Sequence, residues 1–147
     1  MPTGYSGTPL PKKIGLKDNG TLALVNAPKG IKAELRPLPP GATLTTKLIA
    51  DCKLAILFCP NTAAIRKNIR ATATRLNADG ALWISWPKKS SPLFVDLTED
   101  IIRSIVLPMG LVDVKVCAIN ADWSALKLMV RKEMRADWSN QGNNKEK

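Results

Sequence analysis

Between residues 53 and 58 the chain reads Lys-Leu-Ala-Ile-Leu-Phe, apolar after its first position. An unbroken apolar run of strand length predicts a strand buried on both faces, as in a parallel sheet. Pro60-Asn61-Thr62 closes the run, and Asn61 or Thr62 can cap the helix that follows. In that helix Ile65, Ile69, Ala73 and Leu76 form one apolar stripe, with Arg66, Lys67 and Arg70 on the opposite side. Asp79-Gly80 predicts a turn into a second buried strand, Ala81 to Trp86. A polar loop, Pro87 to Pro92, comes next. Thr98 then predicts an N-cap, with Glu99 and Asp100 at the positive end of the helix dipole and Ile101, Ile102, Ile105 and Val106 on the buried side. Pro108 and Gly110 stop that helix.

The pattern changes towards the end of the chain. Val112, Val114, Val116 and Ala118 alternate with Asp113, Lys115 and Cys117, and Leu126, Leu128 and Val130 alternate with Lys127, Met129 and Arg131. Alternation with period two predicts strands with a wet or half-wet face, here an antiparallel hairpin at a sheet edge. Asp113 and Lys115 are expected in cross-strand pairs with Lys127 or Arg131. Upstream, Thr21 to Val25 predicts a short buried strand, Ile31 to Leu35 a weak helical stretch, and Ala42 to Lys47 a weaker strand. The expected fold class is α/β, a single three-layer sandwich with a Rossmann-like, mostly parallel sheet ending in an antiparallel hairpin. Residues 1–18 read as an N-terminal arm, 19–135 as the domain, and 136–147 as a disordered polar tail with Trp138 exposed.

Composition narrows the chemistry. The chain has 147 residues and no histidine. Histidine general bases, histidine metal ligands and the Ser-His-Asp and Cys-His nucleophile systems are therefore excluded. Cys52, Cys59 and Cys117 are odd in number and form no Cys-x-x-Cys pair, so reduced thiols and a cytoplasmic location are expected. No apolar run approaches the roughly 18 residues of a membrane span. The net charge is +10. Residues 1–75 hold twelve Lys or Arg against three Asp or Glu, and residues 76–147 hold ten against nine. That imbalance implies at most a weak, salt-sensitive affinity for nucleic acid, because base-stacking aromatics are scarce in the basic half.

Ligands of open α/β sheets bind beyond the carboxyl ends of the strands, near the point where strand order reverses. Three loops should meet there: Asn26–Gly30, Cys59–Thr62 and Trp86–Ser91. They bring Asn26, Lys29, Asn61, Thr62, Trp86, Lys88, Lys89, Ser90 and Ser91 together. Ammonium groups beside the N–H groups of a helix start predict a site for a small anion. Cys59 precedes a helix start, which lowers a thiol pKa, yet its place at a strand end reads as a small core residue.

The stretch from Asp51 to Gly80, with the strand, helix and hairpin after it, resembles the second half of a class I methyltransferase in architecture. That family carries a glycine-rich turn after its first strand, where this chain has Val25-Asn26-Ala27-Pro28-Lys29-Gly30. The departure implies that S-adenosylmethionine is not bound, and no cofactor is expected. Residue by residue, the chain resembles a bacterial family of small proteins, domain-of-unknown-function family three-zero-five-two. The likeness lies in Gly4-Tyr5-Ser6-Gly7, Leu10-Pro11-Lys12-Lys13, Ala23-Leu24-Val25-Asn26-Ala27-Pro28, Leu82-Trp83-Ile84-Ser85-Trp86-Pro87-Lys88-Lys89, Asp96-Leu97-Thr98-Glu99-Asp100, Gly110-Leu111-Val112-Asp113, Lys115-Val116-Cys117-Ala118 and Trp123-Ser124. It implies a single domain and brings no activity with it. The function expected is a non-catalytic or regulatory module that binds a small anionic ligand or a protein partner. A truncated methyltransferase-like enzyme and a nucleic-acid accessory protein are the alternatives.

Overall fold

The central apolar runs settle into one sheet. In the computed structural model, which describes residues 8–138, β3 (Cys52–Phe58) and β4 (Leu76–Pro87) lie side by side and parallel. Leu54 to Phe58 and Ala81 to Trp86 are all buried, as strands covered on both faces must be. On one side of β3 come β1 (Thr21–Val25) and then β2 (Thr43–Thr45), both parallel to it. On the other side of β4 lies β6 (Trp123–Val130), antiparallel, and beyond it β5 (Leu111–Ala118). The order is β2-β1-β3-β4-β6-β5. This is a Rossmann-like α/β sheet, mostly parallel, closed at one edge by an antiparallel hairpin.

Helices cover both faces. The first face packs α3 (Thr62–Thr74) and α4 (Glu99–Val106) over Leu57, Leu82, Ile84, Leu126 and Leu128. The second carries two short helices, α1 (Leu10–Ile14) and α2 (Ile31–Glu34), over Leu22, Leu24, Ile56, Phe58 and Trp83. Trp83 and Trp86, of opposite parity in β4, enter opposite cores. Phe58 meets Trp123 edge to face, with ring centroids 5.6 Å apart. Among the described residues no helix is long and apolar enough to cross a membrane.

Several local expectations give way to packing. Asp79-Gly80 is not a turn. β4 begins at Leu76, which leaves the helix stripe, and runs through Gly80. The reason is close backbone approach: a Cβ at Gly80 would sit 2.9 Å from the Lys53 carbonyl oxygen and 3.0 Å from that of Cys52, beside a register irregularity between Cys52 and Leu54. Of the expected arm, residues 8–18 lie on the domain: Ile14 and Leu16 are buried, and the Trp83 indole N–H donates to the Ile14 carbonyl at 2.9 Å. Residues 1–7 and 139–147 lie outside the described residues. Residues 135–138 are helical, and Trp138 is buried with its indole N–H on the Leu76 carbonyl at 3.1 Å. A large aromatic with a reachable acceptor outweighed the polar composition around it.

Asp113 does not pair across strands. It accepts from Arg103 Nε at 3.1 Å, and Arg103 also reaches Glu99 at 3.0 Å. A bulge between Asp113 and Lys115 puts Lys115 opposite Lys127, and Val112, Val114 and Val116 are all exposed on the edge strand.

Candidate functional site

β1, β3 and β4 are parallel and in register, so their carboxyl ends share one edge of the sheet. Val25 sits beside Leu57, and Phe58 beside Ser85. The order reverses around β1, with β2 on one side and β3 on the other. Lys29, after β1, and Lys88, after β4, therefore lie at the same edge, two strands apart.

At the end of β1 the backbone turns sharply. Asn26 has φ 59° and Gly30 φ 93°, both in the left-handed region. A short polar side chain or none at all is what that region favours. Leu24, Asn26, Lys29, Lys32 and Thr46 line a cleft of about 500 Å³ there. Lys29 and Lys32 are exposed, and neither makes an ion pair among the described residues. No carboxylate lines the cleft. Lys32 and Thr46 were not among the expected residues. The signal for Lys32 was its spacing of three from Lys29 across a helix start. For Thr46 it was a place just past the weak strand beside β1.

Trp86, Lys88 and Lys89 lie in a separate cleft of about 370 Å³, at the ends of β4 and β6. Glu99, Asp100, Thr98 and Ser124 also line it, so two carboxylates, both paired with Arg103, share this cleft with the two lysines. The loop that carries the lysines is held by Asp122: its carbonyl accepts from Lys88 N–H, and its carboxylate accepts from the Ser91 hydroxyl, both at 2.8 Å. Ser90 is exposed and lines neither cleft.

Asn61 and Thr62 stand between these clefts at the start of α3; the Asn61 side chain and the Thr62 N–H serve the protein itself, while the buried Thr62 hydroxyl has no hydrogen-bond partner among the described residues. The Asn61 side chain accepts from Ala64 N–H, and Asp96 accepts from Thr62 N–H, both at 2.8 Å. Two of the helix-start donors expected to meet an anion, the N–H groups of Thr62 and Ala64, are thus engaged by a carboxylate and a side-chain amide. The structure distributes the expected residues over two clefts and a capped helix. A third cleft, about 400 Å³, lies on the second face between Leu10, Lys13, Arg36 and Ile119. Glu34 at its rim accepts from the Asn120 amide at 3.2 and 3.1 Å.

No thiol is primed as a nucleophile. Burial pushes Cys59 up to about 12. Burial also raises Cys52, against a weaker lowering by its bond to the Leu54 carbonyl, and Cys117, against lowering by Lys13 and Lys115. All three stay protonated near neutral pH. Among the described residues no group of three or more Cys, Asp or Glu is placed to hold a metal ion. What the cleft at β1 offers chemically is positive charge and the polar side chains of Asn26 and Thr46.

No family model matches this chain, and no curated protein does, so the likeness to family three-zero-five-two stands on the quoted residues alone. Solved structures do match its fold. A protein assigned to the type 11 methyltransferases, from Sulfolobus solfataricus, superposes with a TM-score of 0.53 at 12% identity, covering 84% of this chain and 90% of that one. LepI in complex with SAM superposes with a TM-score of 0.50 at 11% identity, covering 84% of this chain and 47% of LepI. The chain thus spans about half the length of LepI. At these identities the likeness is one of fold, and at 84% of the chain it reaches beyond the stretch from Asp51 onward in which it was expected.

Proposed function

We propose that this protein is a non-catalytic module that binds a small anion, a phosphate- or carboxylate-bearing molecule, in the cleft at the end of β1. The observation behind this reading is the lining of that cleft: Lys29 and Lys32 with Asn26 and Thr46, and no carboxylate. The neighbouring cleft has lysines too, but the carboxylates of Glu99 and Asp100 in its lining disfavour an anion there. Lysine acts as a point charge and tolerates several anion geometries. Both lysines are exposed, so each contributes modestly, and affinity depends on their acting together.

A methyl-transferring enzyme is the second reading, favoured by the fold. The cleft residues do not fit its cofactor. S-adenosylmethionine carries a sulfonium cation, and Lys29 and Lys32 repel it. Its ribose diol calls for a carboxylate near the end of the second strand, as nucleotide riboses do. The chain has Thr45, Thr46 and Lys47 there.

A thermal-shift series with sulfate, phosphate, phosphorylated metabolites and S-adenosylmethionine tests both readings. A ligand bound only to the native state raises the melting temperature. Phosphate-bearing compounds should stabilise the wild type beyond matched ionic strength, and the Lys29→Ala, Lys32→Ala double variant should lose that excess. Equal stabilisation of wild type and variant would rule the cleft out.

A further inference from the structure

The layer of helices on the first face contains two unlike neighbours. In α4 the one cation, Arg103, is taken up by Glu99, Asp100 and Asp113. In α3 there is no acidic residue at all over Thr62–Thr74. Its buried stripe is Ile65, Ile69, Thr72 and Ala73, and its outward side shows Ala63, Arg66, Lys67, Arg70 and Ala71. None of the three cations makes an ion pair among the described residues. Asn68, half-buried, bonds back to the helix's own Ala64 carbonyl and leaves the outward side to the cations. A helix of 13 residues is about 20 Å long, so the stripe is a charged ridge and not a point.

The ridge also lacks something. None of the large exposed apolar side chains, which are Ile49, Leu93, Val95, Val112, Val114 and Val116, lies on α3. Protein partners and membrane surfaces are held by apolar anchors as well as by charge. Single-stranded nucleic acid is held by stacking on aromatics, and α3 has none. A ridge of two guanidinium groups and an ammonium group, with only alanine methyls between them, suits a rigid array of phosphates.

We propose that α3 docks this protein, through Arg66, Lys67 and Arg70, on the phosphate backbone of double-stranded nucleic acid. The contact is independent of base sequence and separate from the cleft at β1.

Fluorescence anisotropy with a labelled duplex, over a salt series, tests it. Three phosphate contacts give a log–log salt slope of about −2.7, which is a fall of about 40-fold in affinity between 50 and 200 mM salt. The variant with Arg66, Lys67 and Arg70 all changed to Gln should lose at least tenfold at 50 mM and most of that slope. A charge-matched control with Lys12, Lys17 and Lys132 changed to Gln should lose less than threefold. Ala63→Glu keeps all three cations and suits the helix dipole, so it should melt no lower than wild type yet bind the duplex several-fold more weakly. Equal losses in the two triple variants would overturn the proposal, since net charge alone would then account for binding. So would tenfold tighter binding to a single strand than to the duplex. Binding of poly-glutamate through these residues, with none of the duplex at 50 mM salt, would overturn it in favour of an acidic protein partner.

Discussion

Changing Trp83 to Phe probes how the N-terminal segment is tied to the sheet. Trp83 is fully buried, and its indole N–H donates at 2.9 Å to the carbonyl of Ile14, the last residue of α1. Phenylalanine keeps part of the ring and removes the donor. The Ile14 carbonyl is then buried without that partner, which costs about 1–3 kcal/mol. The smaller ring leaves a void beside Ile14 and Leu16 that adds about 1 kcal/mol. The total, about 3 kcal/mol, corresponds to a melting temperature about 6–12 °C lower for a chain of this size. Urea unfolding followed by fluorescence measures it, and limited proteolysis within residues 9–16 reports local release. Ile14→Ala, which removes packing and keeps the carbonyl, should be less than additive with Trp83→Phe, because the two side chains share one site. A loss under 0.5 kcal/mol with unchanged proteolysis would refute the idea that this hydrogen bond and its packing hold the segment in place.

Further expectations follow from the same geometry. Trp138→Ala should cost about 3 kcal/mol, since it empties a buried aromatic site and frees the Leu76 carbonyl; a neutral result would return the segment to the solvated tail its composition suggests. An unfolded thiol ionises near pH 8.5, well below the value of about 12 for buried Cys59. The unfolded chain therefore loses its proton first, and the stability tied to this group is full below about pH 8.5 and falls as pH rises towards 12. By pH 10 that loss is about 2 kcal/mol, and the urea-unfolding profile of Cys59→Ala should lack it; parallel wild-type and variant profiles would refute it. The double variant Lys88→Ala, Lys89→Ala should keep the phosphate response in thermal shift, because the carboxylates of Glu99 and Asp100 line the same cleft and disfavour an anion there; loss of the response would move the site to the end of β4. Asp113→Ala should cost no more than about 1 kcal/mol in urea unfolding, as its ion pair with Arg103 is partly solvated, and a loss above 2 kcal/mol would contradict that.

The continuous apolar runs at Leu54–Phe58 and Ala81–Trp86 announced the central strands, because burial on both faces leaves no room for polar positions. Asn61 and Thr98 were readable as caps because a capping side chain bonds a backbone N–H only three residues on. Gly80 was misleading. Glycine marks both turns and places where two backbones approach closely, and only the neighbouring carbonyls of Cys52 and Lys53 distinguish the two. Trp138 was hidden because its acceptor, Leu76, is 62 residues away in the chain. At the carboxyl edge the sequence placed Asn26, Lys29, Lys88 and Lys89 correctly on one side of the sheet. It did not reveal that β3 and a capped α3 would divide them, since strand order is a long-range property. The carboxylate at α3, Asp96, enters from a loop 34 residues away in the chain, and Glu99 and Asp100, although close to Lys88 in sequence, reach its cleft only through the docking of α4.

Calorimetric titration of the wild-type protein, run separately with inorganic phosphate and with S-adenosylmethionine, bears most directly on the cleft at the end of β1. Saturable binding of phosphate that disappears in the Lys29→Ala, Lys32→Ala variant, with no heat from S-adenosylmethionine at physiological concentration, is the predicted result. A micromolar dissociation constant for S-adenosylmethionine, with no saturable phosphate binding, would contradict it and make the protein a cofactor-binding member of the fold it shares with the methyltransferases.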